Sequence, residues 1–494
     1  MLKMSYKIST ACLLGCFLFF LTGCNSWLDL LPENQQTTDM YWKTKEDVEA
    51  VVTSGYIRMK SCLEKFVQWG ELRGDGLQYV GSTAAEQDVV ELKMLTSNSV
   101  SNWYNIYRVI GSANAVIKYA PTVQTHDETF LTEVMNSYIA EAIFQRSLCY
   151  FWLVKTFHEV PLVLEPYVDD SAPYAVAKST EREILDRIIA DLNGIISQAR
   201  PGYEVPEENK GRATRWAVYA LLADIYLWDE QYGKCISACD EVLNSGQLEL
   251  LPAKNWFELY YPGNSKESIF ELNYDQSTIA SDKNDLFTWF YGDKPKYTIS
   301  ASTLDLIDED DIRGEGGSYK GGNLWKYAGT ERAILTSGTR GSDERDANWI
   351  FYRLPDILLM KAEALVLSAN GNQQMFDDAI ELVNTLRRRA EIKKDIDAPT
   401  TSDECLQIVL NERQIEFMGE GKRWFDILRT AKRNHYEKRS YLVNILLNGL
   451  SAQDRLIYEA KLEDENSYFL PILQDEIDNS GGVLVQNPYY NGLD

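Results

Sequence analysis

Apolar residues recur at three- and four-residue spacing along most of the chain, and this spacing predicts a mainly helical protein. In the segment 45–59 the apolar positions are Val48, Val51, Val52 and Tyr56, and Thr44 stands where an N-cap is expected. The same spacing predicts further helices over 101–119, 132–157, 181–198, 215–228, 232–244, 347–367, 377–389 and 402–429. The predicted fold class is therefore dominated by α-helix.

Two of these predicted helices share one pattern. Apolar residues lie at offsets 0, 3, 7 and 10 in both, and they are Tyr232, Cys235, Cys239 and Val242 in one and Phe376, Ala379, Val383 and Leu386 in the other. Each follows a helix rich in small residues, which is typical of stacked, tetratricopeptide-like helix pairs. The two cysteines are also half of a conceivable zinc site, but the chain has only 3 histidines, spread far apart, so we interpret both as core residues.

The segment 246–345 interrupts the helical periodicity. It contains glycine clusters, many aromatic residues and an alternating stretch at 268–274 that predicts a short strand. Aromatic residues on loops over a rigid scaffold often form ligand-binding surfaces. We therefore divide the chain beyond its first residues into a helical region 24–245, a loop-rich insertion 246–345 that binds ligand, and a helical region 346–494, expected to form one compact domain.

The first residues predict export and lipid anchoring. Lys3 and Lys7 precede an uncharged stretch whose apolar part, 11–21, is too short to span a membrane. It ends in Leu21-Thr-Gly-Cys24, the pattern of a lipoprotein signal, so residues 1–23 are predicted to be removed and Cys24 to be acylated.

Charge and cysteine usage exclude some classes of protein. The formal net charge is −25, which argues against nucleic acid as a partner because phosphate binding needs a basic surface. Of the 8 cysteines, two lie in the predicted signal peptide and one is Cys24, which leaves 8 − 3 = 5, too scattered for a disulfide framework.

Three glutamates raise the question of catalysis. Glu412, Glu416 and Glu420 are spaced four residues apart, and a pair of carboxylates is what glycoside hydrolysis requires. The cations that surround them in sequence are Arg413, Lys422, Arg423 and Arg429. Nearby cations keep carboxylates ionised, so we interpret the group as a structural ion-pair network and predict a protein that is not an enzyme.

No cofactor is predicted. The acidic run 308–311 makes calcium an alternative, but the run does not match the EF-hand register. A local salt bridge between Asp311 and Arg313 explains it more simply.

An ordered series of motifs over the whole exported chain resembles the SusD/RagB family of outer-membrane nutrient-binding lipoproteins. The motifs include Cys24-Asn-Ser-Trp-Leu-Asp-Leu-Leu-Pro32, Glu71-Leu-Arg-Gly-Asp75, Trp103-Tyr-Asn-Ile-Tyr107, Tyr352-Arg-Leu-Pro-Asp356, Asn411-Glu-Arg413 and Gly419-Glu-Gly-Lys-Arg-Trp424. Ser147, Pro355 and Leu473 depart from the usual pattern.

The resemblance implies a helical-repeat fold and capture of oligosaccharides or polysaccharide at the cell surface. It also implies delivery to a SusC-like TonB-dependent transporter of the outer membrane, over which the lipoprotein sits on the extracellular side. Two alternatives stay open: the same architecture binding oligopeptides, and, less favoured, a surface glycoside hydrolase.

Glycan binding needs flat aromatic faces and fixed hydrogen-bonding groups. The candidate ligand-binding residues are Asp75, Gln78 and Tyr79 after the Glu71 motif, and Trp289, Tyr291, Tyr297, Trp325 and Tyr327 in the insertion.

Overall fold

The structure is a computed structural model that describes residues 41–167, 175–331, 338–448 and 450–492. Residues 44–494 form one compact unit. The predicted signal peptide and Cys24 lie outside the described residues, so both stay predictions.

Helices make up most of this unit. In the N-terminal half they are α1 Lys45–Lys60, α2 Leu63–Glu71, α3 Ala84–Val90, α4 Tyr104–Gln124, α5 Thr132–Phe157, α6 Glu181–Ile195, α7 Pro206–Gly211, α8 Arg215–Trp228 and α9 Tyr232–Leu243. In the C-terminal half they are α10 Leu286–Phe290, α11 Ala301–Leu304, α12 Leu354–Ser368, α13 Gln373–Arg389, α14 Ser402–Glu416, α15 Arg423–Tyr436, α16 Arg439–Leu447, α17 Ala452–Lys461 and α18 Gln474–Asn479.

Short strands form three small sheets in the described residues. The strands are β1 Leu77–Tyr79, β2 Val160–Pro161, β3 Lys178–Ser179, β4 Ser268–Leu272, β5 Tyr297–Ile299, β6 Tyr319–Lys320, β7 Asn323–Leu324 and β8 Trp349–Arg353. One sheet has the order β1-β5-β7-β6, while β2 pairs with β3 and β4 pairs with β8. The four-stranded sheet thus joins β1, from the N-terminal half, to three strands of the insertion.

The predicted all-α-dominated fold is confirmed, and so are two predicted helix starts. Thr44 caps α1 and Thr180 caps α6, each in a reciprocal capping box with the acidic residue three positions later. These starts are encoded locally, because the cap and its partner lie within one turn.

The helix predicted over 347–367 is wrong in its first part. Residues Trp349–Arg353 form β8, a strand that pairs with β4 and is buried on both faces. A short, fully buried apolar run has no hydrophobic periodicity that would distinguish a strand from a helix. The short strand predicted over 268–274 is confirmed as β4, although every one of its residues is buried rather than every second one.

The single helix predicted over 402–429 is also wrong. The chain leaves helical geometry after Glu416 and resumes it at Arg423, and Gly419 and Gly421 between them have φ values of +73° and +72°. Glycine adopts this left-handed conformation at little cost, so these two residues allow a sharp turn between α14 and α15.

Stacked helix pairs form the scaffold, as the tetratricopeptide-like pattern predicts. Helix α8 packs on α9, α9 on α12 and α12 on α13. Every residue of the shared pattern except the partly exposed Tyr232 is buried, Cys235 and Cys239 among them. The small residues Ala362 and Ala379 allow the close approach of α12 and α13. No helix in the described part of the chain is both long and apolar enough for a membrane span.

Helix α2 and the α14–α15 turn approach each other closely through their backbones. A Cβ atom on Gly70 would lie 2.1 Å from the carbonyl oxygen of Gly421. We expect Gly70→Ala to lower the free energy of unfolding by about 3 kcal/mol, because neither backbone can move away. Urea unfolding followed by circular dichroism measures the change.

Gly111→Ala in α4 is the matched control. A Cβ atom there meets nothing within 4 Å, so this variant should gain about 0.5–1 kcal/mol from its helix propensity. Equal stabilities for the two variants would contradict the close approach.

Candidate ligand-binding surface

The outer face of the four-stranded sheet carries a row of polar side chains. Gln78 of β1 is paired with Thr298 of β5, Thr298 with Asn323 of β7, and Asn323 with Lys320 of β6. Residues paired across antiparallel strands point to the same side of the sheet. Gln78 is exposed and the other three are partly exposed, so hydroxyl, amide and ammonium groups face solvent in one line.

The opposite face of the same sheet packs on the core. Leu77, Ile299 and Leu324 are buried there, and the ring of Tyr79 lies edge-on to that of Tyr297 at 5.6 Å. The two predicted site residues Gln78 and Tyr79 are therefore neighbours in β1 whose side chains point to opposite faces.

A fixed polar network lies at the β1 edge of the sheet beside Trp289. Lys296 donates to both oxygens of the buried Glu86 at 3.0 and 3.1 Å, and the hydroxyl of Tyr79 donates to Glu86 at 2.9 Å. The Lys296 ammonium also lies 5.8 Å from the ring centroid of the half-exposed Trp289. The structure thus brings the predicted residues Tyr79 and Trp289 to one place.

Three of the predicted aromatic residues are not at the surface. Tyr297, Trp325 and Tyr327 are 1%, 0% and 1% exposed, so the expectation that they offer open faces to a ligand is wrong. Tyr327 stacks on Phe290. Aromatic side chains carry large apolar areas, and in this insertion that area builds the layer beneath the surface.

Tyr291 is the remaining aromatic candidate, and it is half-exposed. Its ring lies 6.5 Å from that of the buried Trp325, whose ring is also 4.4 Å from the Lys320 ammonium. Through Trp325, Tyr291 is therefore connected to the Lys320 end of the polar row.

Asp75 uses its polar groups for contacts within the fold. Its carboxylate accepts from Arg423 Nε at 2.6 Å and from Nη2 at 3.2 Å, and its backbone carbonyl accepts from Ser300 and Ser302. These contacts fix the chain that leads into β1, so Asp75 positions Gln78 while its own charge is already paired.

The three glutamates considered for catalysis belong to a buried ion network. Arg353 binds Glu267 at 3.0 Å, Glu420 at 2.9 Å and Glu416, and all four side chains are fully buried. Arg313 binds Glu412 at 2.6 Å and Glu416 at 2.7 Å. The predicted structural network is present, and a polymer chain has no access to these carboxylates.

Their pKa values follow from burial and from these cations. Burial raises the pKa of Glu420, but Arg353 and Lys326 outweigh it and bring the pKa to about 2. Burial likewise opposes the ionisation of Glu416, and three arginines hold its pKa well below the usual range. For Glu412 burial prevails over Arg313 and raises the pKa, contrary to the expectation that all three would be lowered.

The acidic run 308–311 takes part in ion pairs at three of its positions, one of them a contact of 3.9 Å between Asp310 and Lys393. Asp311 binds Arg313 at 2.8 Å, the salt bridge predicted from the sequence, and Asp308 binds Arg387 at 2.9 Å. Among the described residues no three His, Cys, Asp or Glu side chains are grouped to hold a metal ion. The five cysteines beyond Cys24 are free and buried.

Thr298, Asn323, Lys320, Lys296 and Glu86 were not predicted as site residues. Each is an ordinary polar residue in sequence, and its importance comes from strand pairing or from contacts over long sequence separations. Only the neighbouring aromatic residues gave a signal that pointed to this part of the chain.

Models of two related families match the chain over nearly its whole length. The model described as the SusD family matches residues 226–490, and one described as starch-binding associating with outer membrane matches residues 26–227. The chain belongs to the SusD family.

Individual SusD-family proteins support this assignment. A SusD-like protein P38 from Formosa agariphila is 25% identical, with 92% of this chain and 96% of that protein covered. A SusD superfamily protein from Bacteroides vulgatus has the same fold, with a TM-score of 0.74, 21% identity and coverage of 91% of this chain and 100% of that one.

A second solved structure of this fold contains a ligand. Surface glycan-binding protein A from Bacteroides thetaiotaomicron, in complex with laminarihexaose, matches with a TM-score of 0.67 and 21% identity, over 90% of this chain and 100% of that one. At this identity the likeness establishes the shared fold.

Glu420→Gln tests the ion network through its pH dependence. The pKa of about 2 in the folded protein lies below the value of about 4.3 in an unfolded chain. The charged carboxylate therefore stabilises the fold above about pH 4.3, and this contribution is lost as the pH falls toward 2. We expect the variant to lose about 3 kcal/mol at neutral pH and to show a flatter decline in acid, both measured by urea unfolding.

Glu128→Gln, at an exposed position, is the control and should follow the native protein at every pH. If the Glu420→Gln and native stability curves ran parallel in acid, the assigned pKa of Glu420 would be wrong.

Proposed function

We propose that this SusD-family protein is a non-catalytic cell-surface lipoprotein that captures glycan. It is held in the outer membrane through Cys24, faces the extracellular side, and passes oligosaccharides to a SusC-like TonB-dependent transporter. The observation that carries the proposal is the half-exposed Trp289 beside the fixed network of Lys296, Glu86 and Tyr79.

This arrangement has the two parts that glycan binding requires. A pyranose ring packs its apolar C–H face on an aromatic ring such as Trp289, and its hydroxyls bind to carboxylate, amide and ammonium groups. The polar row that begins at Gln78, on the outer face of the same sheet, offers further hydrogen-bonding groups for sugar units. The relative that holds laminarihexaose and the outer-membrane description of the matching family model support the same conclusion.

Trp289→Ala removes the exposed aromatic face. With a soluble form that lacks residues 1–24, a glycan array identifies the ligand and calorimetry gives its affinity. We expect the variant to bind that glycan about tenfold more weakly, because the apolar stacking contact is lost. Gln78→Ala should weaken binding by a smaller factor.

Trp216→Ala is the matched control, since Trp216 is a partly exposed tryptophan on α8, outside the sheet and the insertion. Unchanged affinity in Trp289→Ala would overturn the proposed surface. A peptide library tested with the same proteins covers the alternative ligand, and peptide binding without glycan binding would replace glycan by oligopeptide as the cargo.

The anchor is tested separately in cells. Cys24→Ala should abolish incorporation of an alkyne-labelled fatty acid, because the thiol at residue 24 is the predicted acceptor. Cys16→Ala, within the predicted signal peptide, should leave labelling unchanged. Labelling that persists in Cys24→Ala would refute the anchor.

A further inference from the structure

One cavity shares no lining residue with the sheet face or with the Trp289 network. It has a volume of about 170 Å³ and is enclosed by the segment after α3, by α17 and by the C-terminal residues. Its walls are largely apolar, and they include Val89, Met94, Leu462, Leu470 and Tyr490.

Arg73 lines this cavity and differs from the other buried arginines of the described chain. Arg146, Arg313, Arg340, Arg353, Arg413, Arg423 and Arg429 are buried and each pairs with a carboxylate. Arg73 is 8% exposed and has no such partner. Its guanidinium lies over the ring of Trp424 at 4.2 Å and Nη1 donates to the carbonyl of Tyr468, while Nη2 has no hydrogen-bond partner.

An unpaired buried charge is costly, and the pKa of Arg73 reflects this. Burial lowers that pKa to about 10, because water is removed and no carboxylate replaces it. The positive charge of Arg73 therefore lacks a negatively charged partner at this site.

A second unpaired donor lines the same cavity. The hydroxyl of Ser467 is buried and has no hydrogen-bond partner. Lys93 and Lys461 are also among the lining residues, and no carboxylate is among those described. Lys93 is already paired with Glu91 at 2.5 Å, so Arg73, Ser467 and Lys461 remain available. In a chain of net charge −25, a cavity whose charged groups are all cationic selects for an anion.

We propose that this cavity is a subsite for the oxyanion group of an acidic sugar, a carboxylate or a sulfate ester. The fork of Arg73 and the hydroxyl of Ser467 donate to the anion, and the apolar wall packs on the attached ring. The anion site follows from the cavity itself, and the sugar as its carrier rests on the proposed function.

Binding of glucuronate, glucose 6-sulfate and glucose to the soluble protein lacking residues 1–24, measured by ligand-observed NMR titration, tests this site. We expect at least one of the two acidic sugars to bind about tenfold or more tightly than glucose. Ser467→Ala should weaken that binding about tenfold, and Arg73→Lys should weaken it further, because lysine lacks the planar fork. The acidic sugar that binds more tightly shows whether the site takes a carboxylate or a sulfate ester.

Ser147→Ala is the matched control. Ser147 is also buried with an unpaired hydroxyl, but it lies in α5, outside the cavity. Because the Ser467 hydroxyl makes no bond in the fold, Ser467→Ala decides the question even if Arg73→Lys is unstable. Acidic sugars that bind no better than glucose, or that bind Ser467→Ala as tightly as the native protein, would overturn the proposal.

Trp289→Ala separates the two surfaces. It should leave the binding of the acidic monosaccharide unchanged, whereas Ser467→Ala weakens it about tenfold. Equal loss in both variants would place the acidic sugar at the sheet and overturn the cavity assignment.

Discussion

The buried guanidinium of Arg353 joins three carboxylates that come from separate parts of the chain. Glu267 precedes β4, Glu416 ends α14, and Glu420 lies in the turn before α15. Charges buried at this depth stabilise a fold only when each finds its partner, so the network enforces one arrangement of these elements. Lys326 connects the insertion to this ion network, because its ammonium binds both Glu420 and the backbone carbonyl of Glu416. The loop-rich segment is thereby held on the helical scaffold.

This connection explains how irregular loops can present a defined surface. The strand β7, which lies between β5 and β6 in the sheet, comes directly before Trp325 and Lys326. The hydroxyl of the buried Tyr327 donates to the carbonyl of Gly419. The sheet is therefore attached to the same α14–α15 turn that contains Glu420. A ligand surface built on fixed backbone loses little conformational entropy on binding, which favours affinity.

The sequence correctly predicted those elements of secondary structure that depend on local interactions. The capping boxes at Thr44 and Thr180 and the periodic helices were readable because each depends on residues within a few turns. The strand β8 could not be predicted in this way, because its formation depends on pairing with β4. The end of the helix after Glu416 could not be predicted either, because it depends on contact with α2. On the candidate surface, Gln78 and Trp289 were predicted from neighbouring motifs and aromatic character. Composition alone did not separate Trp289 from the buried Trp325, since both are tryptophans in the same insertion.

Two chemically different surfaces result, one of polar groups beside a partly exposed tryptophan and one of unpaired donors in an apolar cavity. Hydrogen–deuterium exchange of the soluble protein with and without its glycan tests the sheet assignment most directly. Bound glycan is predicted to slow exchange in peptides that cover residues 77–81 and 286–299. Protection confined to the helix pairs α8–α9 and α12–α13, with no change in those two segments, would contradict it.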